Sequence, residues 1–281
     1  MRPRKKQAYP LAIEQQYAAR LVEVANTISR SYIDAALDAY TGTARMDNTA
    51  EPEPEPAGWM AQFFAAMLAA EKRLGETLTH ARRVVKQFAG RTSDFHKRQF
   101  HQVLRATYGV DIFTNEAWLL DELAAWEAAN MALIKSVPQQ TVIKLQGAFI
   151  DAVRNGKSLP EVKALVKDVY GVNAKRAELI ARDQIGKLNG QLTAIRQQAI
   201  GVEKYTWKSM DDSRVRPSHQ DYDGQTFKWS EPPPEGHPGQ PIRCRCYAAP
   251  VLPAFNDIKG VIVSQEHINK AAKESFYDYA L

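Results

Sequence analysis

The stretch QLTAIRQQAIGVEKYTWKSM, residues 191–210, marks the change from a helical chain to a loop-rich one. Before Gly201 the apolar residues keep helical spacing, and the pattern predicts a helix from Asn173 to about Gln198. After Gly201, residues 204–208 alternate polar and aromatic side chains with the period of a strand. The sequence therefore predicts an α+β protein that is mostly α, with a helical N-terminal region followed by a small loop-rich module with a few short β-strands.

Turn residues and charge divide the rest of the chain into consecutive segments. Three Glu-Pro pairs at residues 51–56 remove backbone donors and favour an extended linker. A last helix is expected from about Ser264 to Tyr279. The predicted segments are an N-terminal helix at 1–40, a Glu-Pro linker at 41–58, a helical region with a basic and an acidic face at 59–133, a compact domain at 134–252 and a helical tail at 253–281.

Short-range signals predict where the middle helices begin and end. Pro138 suits the first turn of a helix, and Asn155-Gly156 is typical of a helix end. Ser158 and Glu161 have the spacing of a capping box, in which the glutamate accepts a hydrogen bond from the N-cap amide. The helix that follows is expected to be short and to end near Gly171.

The long helix after Asn173 carries two further features. Gly186 and Gly190 are costly in a helix interior, so we predict a close backbone approach or a kink there. Arg182 and Asp183 are placed to reach the following module, although charges at such positions usually lie on a solvated face.

Charge is unevenly distributed, although the whole chain carries only +5. Helices predicted at residues 59–89 and 93–107 include nine basic and three acidic residues between Glu71 and Arg105, and an acidic stretch follows up to Ile134. We predict that the basic stretch binds double-stranded DNA without sequence preference, with a solvated helix face as the alternative. The predicted DNA-binding residues are Lys72, Arg73, Arg82, Arg83, Lys86, Arg91, Lys97, Arg98 and Arg105.

Composition excludes several classes of protein. With 44% apolar residues the chain has the material for a core, which argues against global disorder. No apolar run approaches the roughly 18 residues of a membrane span, and no signal peptide is indicated, so no membrane partner is expected. Cys244 and Cys246 are too close in sequence for an unstrained disulfide, which predicts free or metal-bound thiols and a reducing compartment.

Four candidate metal ligands, His219, His237, Cys244 and Cys246, lie within 28 positions of a Pro/Gly-rich stretch. Zinc favours four nitrogen and sulfur ligands, and a metal would replace the core that a small module lacks. These residues therefore predict one structural Zn²⁺. The alternative is that the cysteines are small buried residues and that the histidines bond to loop carbonyls.

The same stretch permits an enzymatic hypothesis. Arg214 or Arg216 is able to clamp a phosphate while His219 moves a proton near Asp223, as in a metal-independent nuclease. In the alternative, these aspartates and arginines tie turns together through backbone hydrogen bonds.

The sequence contains several short motifs that follow one another in this order: RAELIARDQ at 176–184, Y-x-W at 205–207, D-x-R-x-R-x-x-H at 212–219, then Asp-Gly and finally C-R-C. In this order they resemble the C-terminal half of the phage Mu F-like head morphogenesis family, the minor head proteins of tailed bacteriophages. The resemblance covers about residues 134–252, the predicted compact domain. The family motif falls on Arg176, Arg182, Trp207, Asp212, Arg214, Arg216, His219, Asp223, Gly224, Cys244 and Cys246.

The resemblance implies a non-enzymatic virion component present in few copies, in the head interior or at the portal vertex. Such a protein assembles in the bacterial host cytoplasm. Its implied partners are the portal protein, scaffold or major capsid protein, and packaged DNA. Two rivals remain at this stage: a nuclease or toxin-type enzyme, and a cellular DNA-binding protein without a virion role. Loss of cleavage in a folded His219→Ala variant would favour the first, and portal or terminase genes next door would exclude the second.

Overall fold

The computed structural model of the chain describes residues 8–46, 57–210 and 212–263, and is 70% helical. The prediction of a mostly α protein with a small sheet is confirmed. The Glu-Pro pairs and the helix predicted at 264–279 lie outside the described residues. The described helices are α1 Leu11–Met46, α2 Ala57–Lys72, α3 Gly75–Tyr108, α4 Leu119–Arg154, α5 Leu159–Ala199 and α6 Pro217–Asp221.

The break between α2 and α3 differs from the prediction. One helix was expected up to residue 89 and another from residue 93, but the chain turns at Arg73 and Leu74 instead. There the amide of Leu74 donates to the carbonyl of Glu71, and α3 then continues through Gly90. A glycine is tolerated inside a helix at a cost of about 1 kcal/mol, which the packing of a long apolar face offsets.

Two further predicted breaks are wrong because tertiary contacts override local signals. Pro138 is buried inside α4 and does not start a helix. Asn173 is buried inside α5, where its Nδ2 atom donates to Ser29 Oγ and Thr141 Oγ1, both at 2.7 Å. These tertiary hydrogen bonds satisfy the side-chain amide of Asn173 inside the helix, so the residue does not mark a helix end.

The end of α4 and the start of α5 agree with the sequence. Gly156 adopts φ +57° just after the last residue of α4, a conformation that favours glycine. The Glu161 carboxylate accepts hydrogen bonds from the amide and the hydroxyl of Ser158, at 2.7 and 2.6 Å. The hydrogen bonds from Ser158 lower the pKa of Glu161, since they stabilise the carboxylate.

The described chain forms two compact units, and each combines distant parts of the sequence. Unit 2 comprises residues 14–88 and 124–182, and unit 1 comprises the remaining described residues. The predicted division into five consecutive segments stays a prediction. No helix among the described residues is long and apolar enough to cross a membrane.

Unit 2 is helical and has an apolar core. Tyr17 lies fully buried in it, with its ring 5.0 Å from that of Phe88 and 5.9 Å from that of Trp126. Its hydroxyl donates to Asn130 Oδ1 at 2.8 Å, so the buried polar atom is satisfied. The largest fully buried side chains of this unit are Tyr17, Ile28, Tyr32, Phe63 and Leu145.

Unit 1 contains two small antiparallel sheets. In the first, β1 (Asp111–Phe113) pairs with β5 (Val261–Val263), with Asp111 opposite Val263. In the second, β2 (Lys204–Lys208) lies between β3 (Thr226–Lys228) and β4 (Tyr247–Val251). We call residues 204–251 the loop module. Its buried cluster consists of Tyr205, Trp207, Trp229, Cys244, Cys246 and Ala248.

Candidate metal centre

His219, Cys244 and Cys246 are brought together in the loop module. His219 lies in the short helix α6, and the two cysteines directly precede β4. The Nδ1 atom of His219 lies 3.7 Å from the sulfur of Cys244 and 3.5 Å from that of Cys246. The three residues are only 2–5% exposed, and both thiols are free. Among the described residues they form a group able to hold a metal ion.

Local backbone features present these side chains. Pro217 occupies the first turn of α6, where its missing N–H costs nothing. Arg243 adopts φ +61°, and the following amide, of Cys244, donates to the carbonyl of Pro241 at 3.0 Å. The amide of Arg243 donates to Asp183 Oδ1 at 3.2 Å, which holds this turn in place.

Glu235 fixes the orientation of the imidazole. Its Oε2 atom lies 3.0 Å from Nε2 of His219, so Nε2 carries a proton and donates it to the carboxylate. Nδ1 is then left as the atom that faces the two sulfurs. The ring of Trp207 packs edge-on against the imidazole, with centroids 5.1 Å apart. Glu235 was not among the predicted site residues, because nothing in its Pro-rich neighbourhood marks it.

The sulfurs and the imidazole change one another's protonation. A hydrogen bond with Cys246 lowers the pKa of the Cys244 thiol, whereas the hydrogen bond to Cys244 raises the pKa of Cys246. The hydrogen bond to Cys244 also raises the pKa of His219. The two thiols therefore share one proton-binding system, and the amide of Gly239, 3.4 Å from the sulfur of Cys244, favours a thiolate there.

Close packing of glycines holds the cysteine loop against α5. A Cβ atom added at Gly190 would lie 2.5 Å from the carbonyl oxygen of Pro238, and one added at Gly186 would lie 2.7 Å from that of Cys244. Gly239, at φ +91°, fits against the same two glycines. The predicted close backbone approach at Gly186 and Gly190 is confirmed, and it positions the loop that carries Cys244.

His237, the fourth predicted metal ligand, does not belong to this group. Its Nδ1 atom is hydrogen-bonded to the hydroxyl of Tyr205 at 2.8 Å, and its ring lies 4.9 Å from that of Trp229. Its own amide donates to Gln240 Oε1 at 2.7 Å. The position of His237 is therefore explained by its contacts with Tyr205 and Trp229, and not by the group of His219, Cys244 and Cys246.

The residues of the nuclease hypothesis each tie a turn. Arg214 donates to Asp212 Oδ2 from two of its nitrogens, at 2.6 and 3.2 Å, which lowers the pKa of Asp212. Arg216 donates to the carbonyl of Ile242 at 2.7 Å. Asp223 Oδ1 accepts from the amide of Ser209 at 2.7 Å. These contacts match the alternative in which charged residues stabilise loops.

The remaining motif residues have structural contacts as well. Gly224 adopts φ +82°, and its amide donates to the carbonyl of Trp207 at 2.9 Å. In unit 2, Arg176 donates to Ser136 Oγ at 2.7 Å, and Arg182 lies 3.4 Å from the buried carboxylate of Glu14.

The predicted basic stretch is partly neutralised by the acidic one. Arg82 and Lys86 both pair with Glu127, at 3.5 and 3.7 Å. In unit 1, Lys97 pairs with Glu116 at 3.2 Å, and Arg105 pairs with Asp111 at 2.6 Å. Asp111, Glu116 and Glu127 thus supply ion-pair partners for the basic stretch. Within the described ranges, the exposed predicted DNA-binding residues without an ion pair are Lys72, Arg73, Arg83 and Arg98.

A buried network around Arg196 was missed by the sequence reasoning. The guanidinium donates to Glu116 Oε1 at 2.6 Å, to the carbonyl of Ser93 at 3.1 Å and to Nδ1 of His96 at 2.9 Å. The other ring nitrogen of His96 then donates to Thr193 Oγ1 at 2.8 Å. Burial lowers the pKa of His96 to about 3, so its ring is neutral. The residues of this network are separated by about a hundred positions in the sequence. No local sequence pattern therefore predicts their contacts.

Comparison with known proteins places the centre in a family. Residues 143–249 match the family model described as phage Mu protein F like protein. A Haemophilus influenzae protein described as uncharacterized is 33% identical over 207 residues, which cover 72% of this chain and 46% of that protein. The chain thus spans about half the length of this curated relative. No solved structure matches the chain significantly. The matched range contains the whole candidate metal centre, and the predicted resemblance to the phage Mu F-like head morphogenesis family is confirmed over residues 143–249.

Proposed function

We propose that this protein is a minor head protein of a tailed bacteriophage. It is built into the head interior or the portal vertex while heads assemble in the host cytoplasm, with the portal, scaffold or major capsid protein as partner. The observation that carries the proposal is the family match at residues 143–249, within which the motif residues Trp207, Cys244 and Cys246 lie in one buried cluster. Such a cluster is what a structural component needs, because it preserves the shape of a small module.

The contacts of His219 support a role without catalysis. Both ring nitrogens are engaged, one by Glu235 and the other by the two sulfurs, and the residue is 2% exposed. A general acid or base must reach its substrate within hydrogen-bond distance. The arginines of the nuclease hypothesis are bound to Asp212 and to a backbone carbonyl, which further favours a structural function.

The test of the virion role is direct. Particles produced from the genome that encodes the chain are purified, and their proteins are quantified by mass spectrometry. We expect peptides of this protein at a few copies per major capsid shell, and few DNA-filled heads when its gene carries a stop codon. A protein that is absent from particles, with normal yield of filled heads in the mutant, would refute the proposal.

Incubating the full-length protein with plasmid DNA tests the rival enzyme. We expect no cleavage by the unchanged protein. Cleavage that disappears in a His219→Ala variant with intact circular dichroism would instead establish a nuclease.

Contact with packaged DNA is the second part of the proposal. The exposed Arg73 and Arg83 of unit 2 are available for phosphates, since neither takes part in an ion pair among the described residues. Each phosphate contact releases condensed counterions, so affinity falls steeply as salt rises.

Charge reversal measures that contribution. The double variant Arg73→Glu, Arg83→Glu is expected to bind all DNA sequences more weakly and to reduce the slope of log affinity against log salt by about two. Arg20→Glu is the matched control, because Arg20 is exposed but already paired with Glu23. Fluorescence anisotropy over a salt series gives the slopes. Equal slopes in the double variant and the unchanged protein would contradict DNA contact through these residues.

A further inference from the structure

We propose that Nδ1 of His219 and the sulfurs of Cys244 and Cys246 bind one zinc ion per chain, and that Glu235 is the positioning residue for the histidine. The three ligand atoms lie within 4.8 Å of one another, and none of them is committed to a disulfide. Imidazole nitrogen and thiolate sulfur are the ligands that zinc prefers in proteins.

The distances fit such an ion. A tetrahedral zinc with Zn–S bonds of about 2.3 Å and Zn–N bonds of about 2.0 Å separates nitrogen from sulfur by about 3.5 Å. The corresponding distances from His219 Nδ1 are 3.5 Å to Cys246 and 3.7 Å to Cys244. Both nitrogen-to-sulfur distances are therefore close to those of a zinc-bound site.

Glu235 completes the arrangement that metal-binding histidines show. A ligating histidine nearly always donates its other N–H to a carboxylate or a carbonyl, which fixes the tautomer and the direction of the ring. Here Nε2 donates to Glu235 at 3.0 Å, so the lone pair of Nδ1 points toward the sulfurs. This hydrogen bond holds the histidine in the tautomer and the orientation that metal binding through Nδ1 requires.

The surroundings of the sulfurs are suited to thiolate ligands. The amide of Gly239 lies 3.4 Å from the sulfur of Cys244. The buried indole of Trp207 packs edge-on against His219, and a hydrogen bond from its N–H to the sulfur of Cys246 favours the thiolate form of that residue. A metal-bound thiolate is a stronger acceptor for such an N–H than a neutral thiol is.

The ion would act as a cross-link within the loop module. It would join α6 to the strand entry at Cys244 and Cys246, across about 25 residues of loop, in a module whose strands have three to five residues. The described residues provide three ligands.

The first experiment is elemental analysis of the full-length protein purified under reducing conditions without chelator, followed by Co²⁺ replacement. We expect about one zinc per chain, and thiolate-to-cobalt charge-transfer absorption after exchange. Less than about a tenth of a zinc per chain, together with no such absorption on adding Co²⁺ to folded protein, would overturn the proposal.

Variants separate ligands from the positioning residue. Cys244→Ser and Cys246→Ser are each expected to reduce the charge-transfer absorption to about half, because one thiolate remains. Glu235→Gln is expected to keep the full absorption at saturation while weakening metal affinity about 10- to 100-fold. An affinity unchanged in Glu235→Gln would refute its positioning role. Since this variant keeps both sulfurs, its result stands even where a cysteine variant fails to fold.

His237→Gln is the matched control, because His237 is a nearby histidine outside the group. Full zinc content and an unchanged cobalt spectrum in this variant support the three-ligand site. Loss of zinc in it would overturn the assignment and make His237 a ligand.

Discussion

Unit 2 is held together by apolar side chains between helices, whereas the loop module is organised around a histidine, two cysteines and three aromatic rings. In unit 2 the fully buried residues include Phe63 and Leu145, and any well-packed hydrophobic residue of similar volume would serve. In the loop module Trp207 packs against His219, and glycines permit the backbone contacts. The difference shows that regular elements rely on summed burial, while short strands and loops depend on a few specific contacts.

Removing one large buried ring from each region is the strongest test of this comparison. Trp207→Ala and Phe149→Ala are each expected to lower the free energy of unfolding by about 3–5 kcal/mol, because each leaves a large cavity. We expect the Trp207 variant alone to lose zinc affinity as well. Urea denaturation and metal analysis of both variants give the comparison. Equal zinc affinity in the two would mean that Trp207 contributes only apolar burial.

Adding a methyl group to a glycine of α5 should act in opposite directions in the two units. Gly190→Ala is expected to destabilise by about 1–3 kcal/mol, since the new Cβ would collide with the backbone of Pro238. Gly171→Ala is the control in the same helix. Outside its own stretch of helix backbone, no atom of the described residues lies within 4 Å of its added Cβ, so the substitution should stabilise by about 0.5–1 kcal/mol. Urea denaturation measures both, and a stabilising Gly190→Ala would contradict the close approach.

Acid should weaken unit 1 through His96. Its pKa is lowered from 6.5 to about 3 in the folded protein, first because of burial and then because of Arg196. Above pH 6.5 the ring is neutral in both states, so stability is unaffected there. As the pH falls from 6.5 toward 3, only the unfolded chain takes up the proton, and stability falls by up to about 1.4 kcal/mol per pH unit.

The variant His96→Gln isolates this dependence. Glutamine can accept from Arg196 and donate to Thr193 but does not titrate, so the acid slope between pH 6 and pH 4 should be smaller by about that amount. Urea unfolding at several pH values measures the two slopes. Identical slopes would show that His96 takes up its proton in the folded state.

We expect the smallest difference in stability between unit 2 and the loop module when surface ion pairs are removed. Arg20 pairs with Glu23 on α1, and both side chains are about 60% exposed. Arg214 pairs with the half-buried Asp212 in the loop module. We expect Arg20→Ala to cost less than about 0.5 kcal/mol and Arg214→Ala about 0.5–1 kcal/mol. Thermal unfolding of the two variants gives the order, and a larger loss for Arg20→Ala would reverse the comparison.

Helices and the loop-rich character of the module follow from the sequence, because apolar periodicity and the density of proline and glycine report local conformation. The capping box at Ser158 and the helix end at Gly156 follow for the same reason. Pro138 and Asn173 mislead, since their local preference for helix ends is weaker than burial and tertiary hydrogen bonds. A prediction from neighbours in sequence has no access to such partners.

The candidate site is likewise only partly predictable from the sequence. His219, Cys244 and Cys246 are recognisable by residue type, because few other side chains offer such ligand atoms. Sequence alone does not show that His237 lies outside this group. Its position follows from the folded structure, in which its Nδ1 atom is hydrogen-bonded to Tyr205. Glu235 and Arg196 are ordinary charged residues in the sequence, and only their contacts distinguish them.

The pairing of β1 with β5 has a consequence for the order of synthesis. Asp111 pairs with Val263, so β1 gains its partner strand only after roughly 150 further residues have been synthesised. At synthesis rates of about 5–20 residues per second, this interval lasts roughly 8 to 30 s. During that time the nascent chain carries an unfinished strand edge, while its helices can already form locally. The synthesis of β5 therefore determines when the backbone edge of β1 gains its partner.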